Sequence, residues 1–154
     1  DEILITGTIY TARDAAHKNL VDTLDASKNL PFELMGQVVY YVGPTPAKPG
    51  QAIGSCGPTS SYRMDKFSPR LMTEGLKVMI GKGERSNELI SEIKNHKAVY
   101  LMAIGGIGAL LSKTVKSSEI IAYPELGAEA IRKLTVENFP AIVAIDSKGN
   151  TIFK

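Results

Sequence analysis

The chain has 154 residues, 44% of them hydrophobic and 22% charged, which suffices to bury one core and makes a single domain over 1–154 the expectation. Eighteen basic against sixteen acidic residues leave a net charge of +2. The basic residues are scattered, which excludes the electrostatic footprint of a nucleic-acid binder and leaves small anions as candidate partners. The single cysteine, Cys56, excludes an intrachain disulfide and CxxC chemistry. The longest apolar runs, such as 98–111, fall short of the roughly 18 to 20 residues a bilayer span requires. The sequence begins on a strand pattern with no basic, apolar or cleavage-site segment before it, so an intracellular, cytoplasmic protein is expected.

Residues 2–10, EILITGTIY, alternate with β-branched enrichment and read as a strand. The period then changes: Ala16, Leu20 and Leu24 share one face of a helix over 11–26, where Thr11 and Asp14 are spaced as a capping box. A second strand over 36–44 runs into the Pro/Gly-rich loop GPTPAKPGQ. Ser68-Pro69 reads as an N-cap and first-turn proline of a short helix ending near Gly75. An apolar strand at 76–81, an amphipathic helix at 86–96 and another apolar strand at 98–104 follow. Beyond them, GGIGALLSK reads as a turn into a helix, 119–123 as a strand and 125–131 as a short helix. RKLTVEN (132–138) and PAIVAID (140–146) read as two strands, and SKGN as a turn. Continuous apolar strands alternating with helices indicate an α/β fold with a mixed sheet flanked by helices.

Several patterns carry possible chemistry. Gly105, Gly106 and Gly108 follow a strand, but GGxG lacks the GxGxxG spacing, and a tight turn explains it better than a nucleotide site. GKGERS (81–86) lacks P-loop spacing, although Lys82 between two glycines could be held beside exposed backbone N–H groups as a carboxylate perch. His17 sits one turn beyond Arg13, and His96 lies at a helix C-terminus, which favours a structural cation. No third ligand stands at metal spacing from the two histidines. Cys56 reads as a small buried residue ahead of a nucleophile.

The stretch GPTSSYRMD (57–65) stands apart. Gly57-Pro58 breaks the preceding element, and Thr59, Ser60 and Ser61 are natural N-cap residues opening a helical turn. Arg63, four residues past Thr59, would stack over the same face. Two readings stay open: Thr59 caps the turn while Arg63 pairs with Asp65 or solvent, or hydroxyl, guanidinium and free N–H groups converge on one anion.

GTIYTARDAAH (7–17), GPTSSYRMD, GKGERS, YLMAIGGIGALL (100–111), YPELGAEAI (123–131) and FPAIVAIDSKGN (139–150) together resemble the C-terminal domain or separate β subunit of the iron–sulfur hydro-lyases. These are class I fumarate hydratase and L(+)-tartrate dehydratase. The resemblance implies a swivelling β/β/α domain that closes over a [4Fe–4S] cluster held by a partner α subunit; the cluster cysteines lie on that partner and none is expected here. It assigns the catalytic base to Thr59 and substrate-carboxylate contacts to Arg13, Arg63 and Lys82. Tyr62 stands where many fumarases carry a smaller residue.

The residue chemistry fits that assignment. A four-carbon dicarboxylate brings two negative charges, and guanidinium forks bind carboxylates bidentately. A threonine hydroxyl becomes a base only where cations and N–H groups stabilise its alkoxide. The expectation is reversible hydration of fumarate to malate, with L(+)-tartrate dehydration the near alternative and a non-catalytic anion- or partner-binding module of the same fold the distant one.

Overall fold

A computed structural model describes residues 2–104 and 108–152. Among them run β1 (Glu2–Thr11), α1 (Asp14–Asp25), β2 (Val38–Tyr40), α2 (Ser68–Thr73), β3 (Val78–Gly81), α3 (Asn87–His96), β4 (Val99–Ala103), α4 (Gly108–Ser112), β5 (Val115–Ala122) and β6 (Ile131–Ile145). Two 3₁₀ turns, Ser61–Met64 and Pro124–Glu129, complete the path. Strands β1 to β4 are parallel neighbours, whereas β6 runs antiparallel to both β4 and β1. Five strands therefore close into a ring, β1-β2-β3-β4-β6, with β5 attached outside it to β6. The mixed sheet flanked by helices is the α/β fold read from the sequence. No described helix is long and apolar enough to cross a membrane.

Alternation along the strands builds two cores. Ile9, Tyr40, Ile80, Leu101, Leu134 and Phe139 point into the ring, where Ile53, Cys56 and Leu111 help to fill it. Their neighbours Tyr10, Val39, Tyr41, Met79, Tyr100 and Ile131 point outward and are covered by Ala16 and Leu20 of α1, Leu71 of α2, and Leu89 and Ile93 of α3. This is why the strands read as continuously apolar: both faces lose water, at a gain of about 1.5–3 kcal/mol for each large side chain.

Local expectations failed where a distant partner intervened. The capping box does not form: Thr11 belongs to β1, with its hydroxyl accepting from the Arg132 N–H at 3.0 Å, and α1 begins after Arg13 with no side-chain cap from its own segment. Ser68 is not a cap either. It lies inside α2 and bonds the Met64 carbonyl at 3.0 Å. Strand β2 is shorter than 36–44, β5 starts earlier than 119, and the helix expected at 125–131 is a 3₁₀ turn broken at Gly127, with Ile131 already in β6.

The two strands expected at 132–138 and 140–146 are one. Asn138 takes a left-handed φ of 56°, its N–H bonds the Thr6 hydroxyl at 3.1 Å, and the register against β1 shifts between Ile5 and Gly7. A bulge thus carries the strand past its polar centre, and Pro140 beyond it pairs in register with Leu4. The turn expected at 105–107 lies outside the described residues; the helix expected after it is α4.

Arg85 joins these layers. Its side chain is fully buried between the rings of Tyr41 and Tyr100, 5.2 and 4.8 Å from their centroids. Its Nε donates to Asp65 at 2.5 Å, and Nη2 reaches the Tyr41 and Ser68 hydroxyls at 3.2 Å. Burial alone disfavours its charge, but the oxygens of Tyr41, Asp65 and Tyr100 outweigh that and hold its pKa above the ordinary value. The second Asp65 oxygen accepts the Ser86 N–H at 2.7 Å, and the Ser86 hydroxyl in turn caps α3 through Leu89 N at 3.1 Å.

Removing one partner of a buried pair strands the other, so Asp65→Ala and Arg85→Met are each expected to cost about 3–5 kcal/mol in urea denaturation, with the double variant recovering part of the loss. His17 sets a pH limit. Burial lowers its pKa from 6.5 to about 4. Between those values the unfolded chain binds a proton that the folded chain refuses. Stability is therefore full above pH 6.5 and expected to fall by up to about 1.4 kcal/mol per unit as pH drops toward 4. Denaturation curves of His17→Leu are expected to lack that part of the slope.

Candidate active site

Because β1, β2 and β3 are parallel, their carboxyl ends open on one side of the sheet, the place where α/β folds collect ligands. Arg13 follows β1, Lys82 follows β3, and residues 57–65 lie against the ends of β2 and β3. The β2–β3 pairing continues to the bond from Tyr41 N–H to the Ile80 carbonyl (2.8 Å) and then opens. Residues 59–61 fill the opening, with Ser60 at ψ 121° and Ser61 starting the 3₁₀ turn. Thr59 N–H donates to the Tyr41 carbonyl at 2.7 Å, and Ser61 N–H to the Lys82 carbonyl at 2.9 Å, with Ser60 bridging Lys82 in parallel sense.

Ser61 locks this contact. Its hydroxyl accepts the Lys82 N–H at 3.0 Å and lies 2.7 Å from the Tyr100 hydroxyl, which donates to the Gly83 carbonyl at 2.8 Å. A Cβ at Gly81 would meet Ser61 Oγ at 1.9 Å, so the lock requires glycine there. The backbone thus seats Thr59 one residue from the Lys82 bridge.

The helical stacking of Thr59 and Arg63 does not form. Ser60 is extended (ψ 121°), the 3₁₀ turn begins only at Ser61, and neither Thr59 nor Ser60 caps it with a side chain. Arg63 turns instead to α1, where its Nε and Nη2 reach the two Asp14 carboxylate oxygens at 3.1 and 3.0 Å. Arg13 Nε lies 4.0 Å from the same Asp14. Both arginines therefore share one carboxylate in the first turn of α1, where a negative charge is favoured. The bland pairing of Arg63 with Asp65 is not observed, because Arg85 takes Asp65.

Two site candidates keep free capacity. The half-buried Thr59 hydroxyl makes no hydrogen bond among the described residues, and the exposed Lys82 ammonium has no ion pair among them. A cleft of about 880 Å³ has Asp14, Tyr62, Arg63, Lys66 and Glu84 on its walls. Thr59, Arg13 and Lys82 do not line it. Tyr62, 67% exposed, stands on that wall.

The remaining motifs are accounted for by packing. His17 donates Nδ1–H to the Arg13 carbonyl at 2.8 Å and packs edge-on to Tyr41, 5.3 Å between centroids. His96 pairs with Glu92 at 3.2 Å. Cys56 is buried in the ring, its thiol pushed up to about 11 by desolvation, and its N–H bonds the Gly108 carbonyl at 3.1 Å. One buried thiol, and no group of three His, Cys, Asp or Glu at metal distance among the described residues, does not fit the ligand set of an iron–sulfur cluster. Sequence reasoning missed Asp14 and Arg85. TARDAAH and GKGERS displayed both, but nothing in their spacing told which charge would be buried and which would face a ligand.

The chain is 41% identical over 152 residues to the aerobic class I fumarate hydratase of Escherichia coli (strain K12), a match covering 97% of this chain and 28% of that protein. It is 37% identical to fumarate hydratase 2 of Leishmania major, covering 98% and 27%. It is 38% identical over 160 residues to the putative L(+)-tartrate dehydratase subunit beta of Methanocaldococcus jannaschii, covering 100% and 82%. The chain thus spans little more than a quarter of the length of the fumarate hydratases it matches. The family model described as Fumarase C-terminus matches residues 1–154, and with the RMD turn docked on the first turn of α1 at the mouth of the parallel strands, the chain belongs to that family.

Proposed function

We propose that this chain forms the substrate-clamping, base-bearing part of a hydro-lyase acting on a four-carbon dicarboxylate, with fumarate and malate as the pair it interconverts. One observation carries the reading. In a chain of the Fumarase C-terminus family, Arg13, Thr59, Arg63 and Lys82 come from three sequence blocks to one end of the parallel strands, and among the described residues nothing engages the Thr59 hydroxyl or pairs with the Lys82 ammonium. In this proposal the rest of the enzyme is a partner α subunit or domain carrying a [4Fe–4S] cluster; that the chain spans 28% of the matched fumarate hydratase supports a further part. Bound on that partner, the cluster would supply a Lewis acid for the departing hydroxide.

In the dehydration direction, one carbon–hydrogen bond next to a carboxylate breaks. Its proton goes to the Thr59 oxygen, its electron pair forms the double bond, and hydroxide leaves the adjacent carbon. Arg13 and Lys82 hold the carboxylates, and Arg63 offers the Nη1 edge that Asp14 does not use. Their positive charge stabilises the alkoxide form of Thr59, without which a hydroxyl is far too weak a base. L(+)-Tartrate is the second substrate to test, favoured by the match along the whole chain to a tartrate dehydratase subunit.

The deciding assay is anaerobic turnover of malate and of L(+)-tartrate by the complete enzyme. A higher kcat/KM for malate supports the first substrate, a higher value for tartrate replaces it, and no turnover of either sinks the reading. Thr59→Ala is expected to lower kcat by about 10²- to 10⁴-fold with KM changed less than about threefold, since it deletes a proton acceptor and not a ground-state contact. Near-normal kcat in that variant removes Thr59 from the base role.

A further inference from the structure

Helix α1 starts badly by its own means. Its N-cap position is occupied by Arg13, in extended conformation with no side-chain hydrogen bond to the helix, where Ser, Thr, Asp or Asn is preferred. The orphan N–H of Ala15 is instead satisfied by Glu129, whose Oε1 accepts it at 3.0 Å across 114 residues of sequence. Glu129 ends the 3₁₀ turn Pro124–Glu129, which is entered through Tyr123 at φ 55° and kinked at Gly127 (φ 61°).

The same turn borders the Arg13 side chain. A Cβ placed on Gly43, just past β2, would lie 2.9 Å from both Arg13 Cδ and Nη1 and 3.2 Å from the Ala128 carbonyl oxygen. Arg13 is thus laid across Gly43 beside this strap. The two residues that the strap fixes through the helix start, Arg13 and Asp14, are the ones that carry charge: Arg13 as a cation, Asp14 as the clamp on Arg63.

We infer that Glu129 is a positioning residue for the carboxylate-binding arginines: it caps α1 from outside so that an arginine stands where a capping side chain would otherwise be. Glu129 itself contacts no substrate. It acts through the backbone of the first turn, whose displacement by a fraction of an ångström moves Arg13 and the Asp14–Arg63 pair together. The inference rests on the hydro-lyase reading for the role of the arginines and not for the geometry.

The test compares Glu129→Ala with Glu129→Gln, which keeps an oxygen acceptor, in the complete enzyme. Glu129→Ala is expected to raise KM for the dicarboxylate about tenfold with kcat within about threefold, and Glu129→Gln to restore KM to within about threefold of the parent. Hydrogen exchange of the Arg63 Nε–H, followed by NMR on arginine-labelled enzyme, gives a readout independent of turnover. It is expected to accelerate about tenfold or more in Glu129→Ala and to stay near the parent rate in Glu129→Gln. An unchanged KM with a lowered Tm, equal KM effects of the two substitutions, or an Arg63 exchange rate indifferent to Glu129→Ala overturns the inference. If the parent enzyme turns over neither malate nor tartrate, the hydro-lyase reading fails on that ground, and the exchange measurement still decides whether Glu129 sets the arginine geometry.

Discussion

The opening of the β2–β3 ladder beyond Tyr41 is the constraint from which the site follows. Two parallel strands that diverge leave carbonyls without partners, and a buried or half-buried carbonyl must find a donor. Residues 59–61 are that donor, giving N–H groups to Tyr41 on one side and Lys82 on the other. The segment is therefore held as firmly as a strand while its side chains stay available. Ser61 turns inward to close the contact, and the Thr59 hydroxyl has no hydrogen-bond partner among the described residues.

Charge follows the same division of labour. Arg85 and Lys82 are three residues apart, yet one is sealed between two tyrosine rings and the other stands in solvent. Asp65 needs Arg85 to fasten the RMD turn to the start of α3, which frees Arg63 to reach α1. Asp14 then gathers two guanidinium groups around one carboxylate. Like charges at such close quarters repel, and a shared counter-ion in the first turn of a helix is an inexpensive way to hold them until an anion arrives.

The sequence displayed the alternation of strands and helices, the α3 segment and the blocks that mark the family, because those depend on short-range periodicity. It did not display what distant partners decide. Thr11 and Asp14 looked like a capping box because their spacing was right, yet Thr11 was already committed to the sheet and the cap came from Glu129. Residues 132–146 looked like two strands because Asn138 and Pro140 are strand breakers in isolation, but pairing with β1 absorbs Asn138 in a bulge and holds Pro140 in register opposite Leu4. At the site, Thr59, Arg13, Arg63 and Lys82 were legible as types of chemistry. Their separation into groups held by Asp14 and groups without a partner among the described residues was not, since it depends on Arg85 taking Asp65 first.

The pairing of β1 with β6 carries a consequence for how the molecule is made. Glu2 lies against Ile142 and Tyr10 against Lys133, so most of the first strand's hydrogen bonds wait for residues synthesised more than a hundred positions later. Contacts of that separation slow the approach to the native state, and an apolar strand left with an open edge in the meantime invites pairing with a neighbouring nascent chain. Ring closure is thus a late event in biogenesis, and the yield of assembled molecules at high expression rates is governed by how long β1 stays unaccompanied.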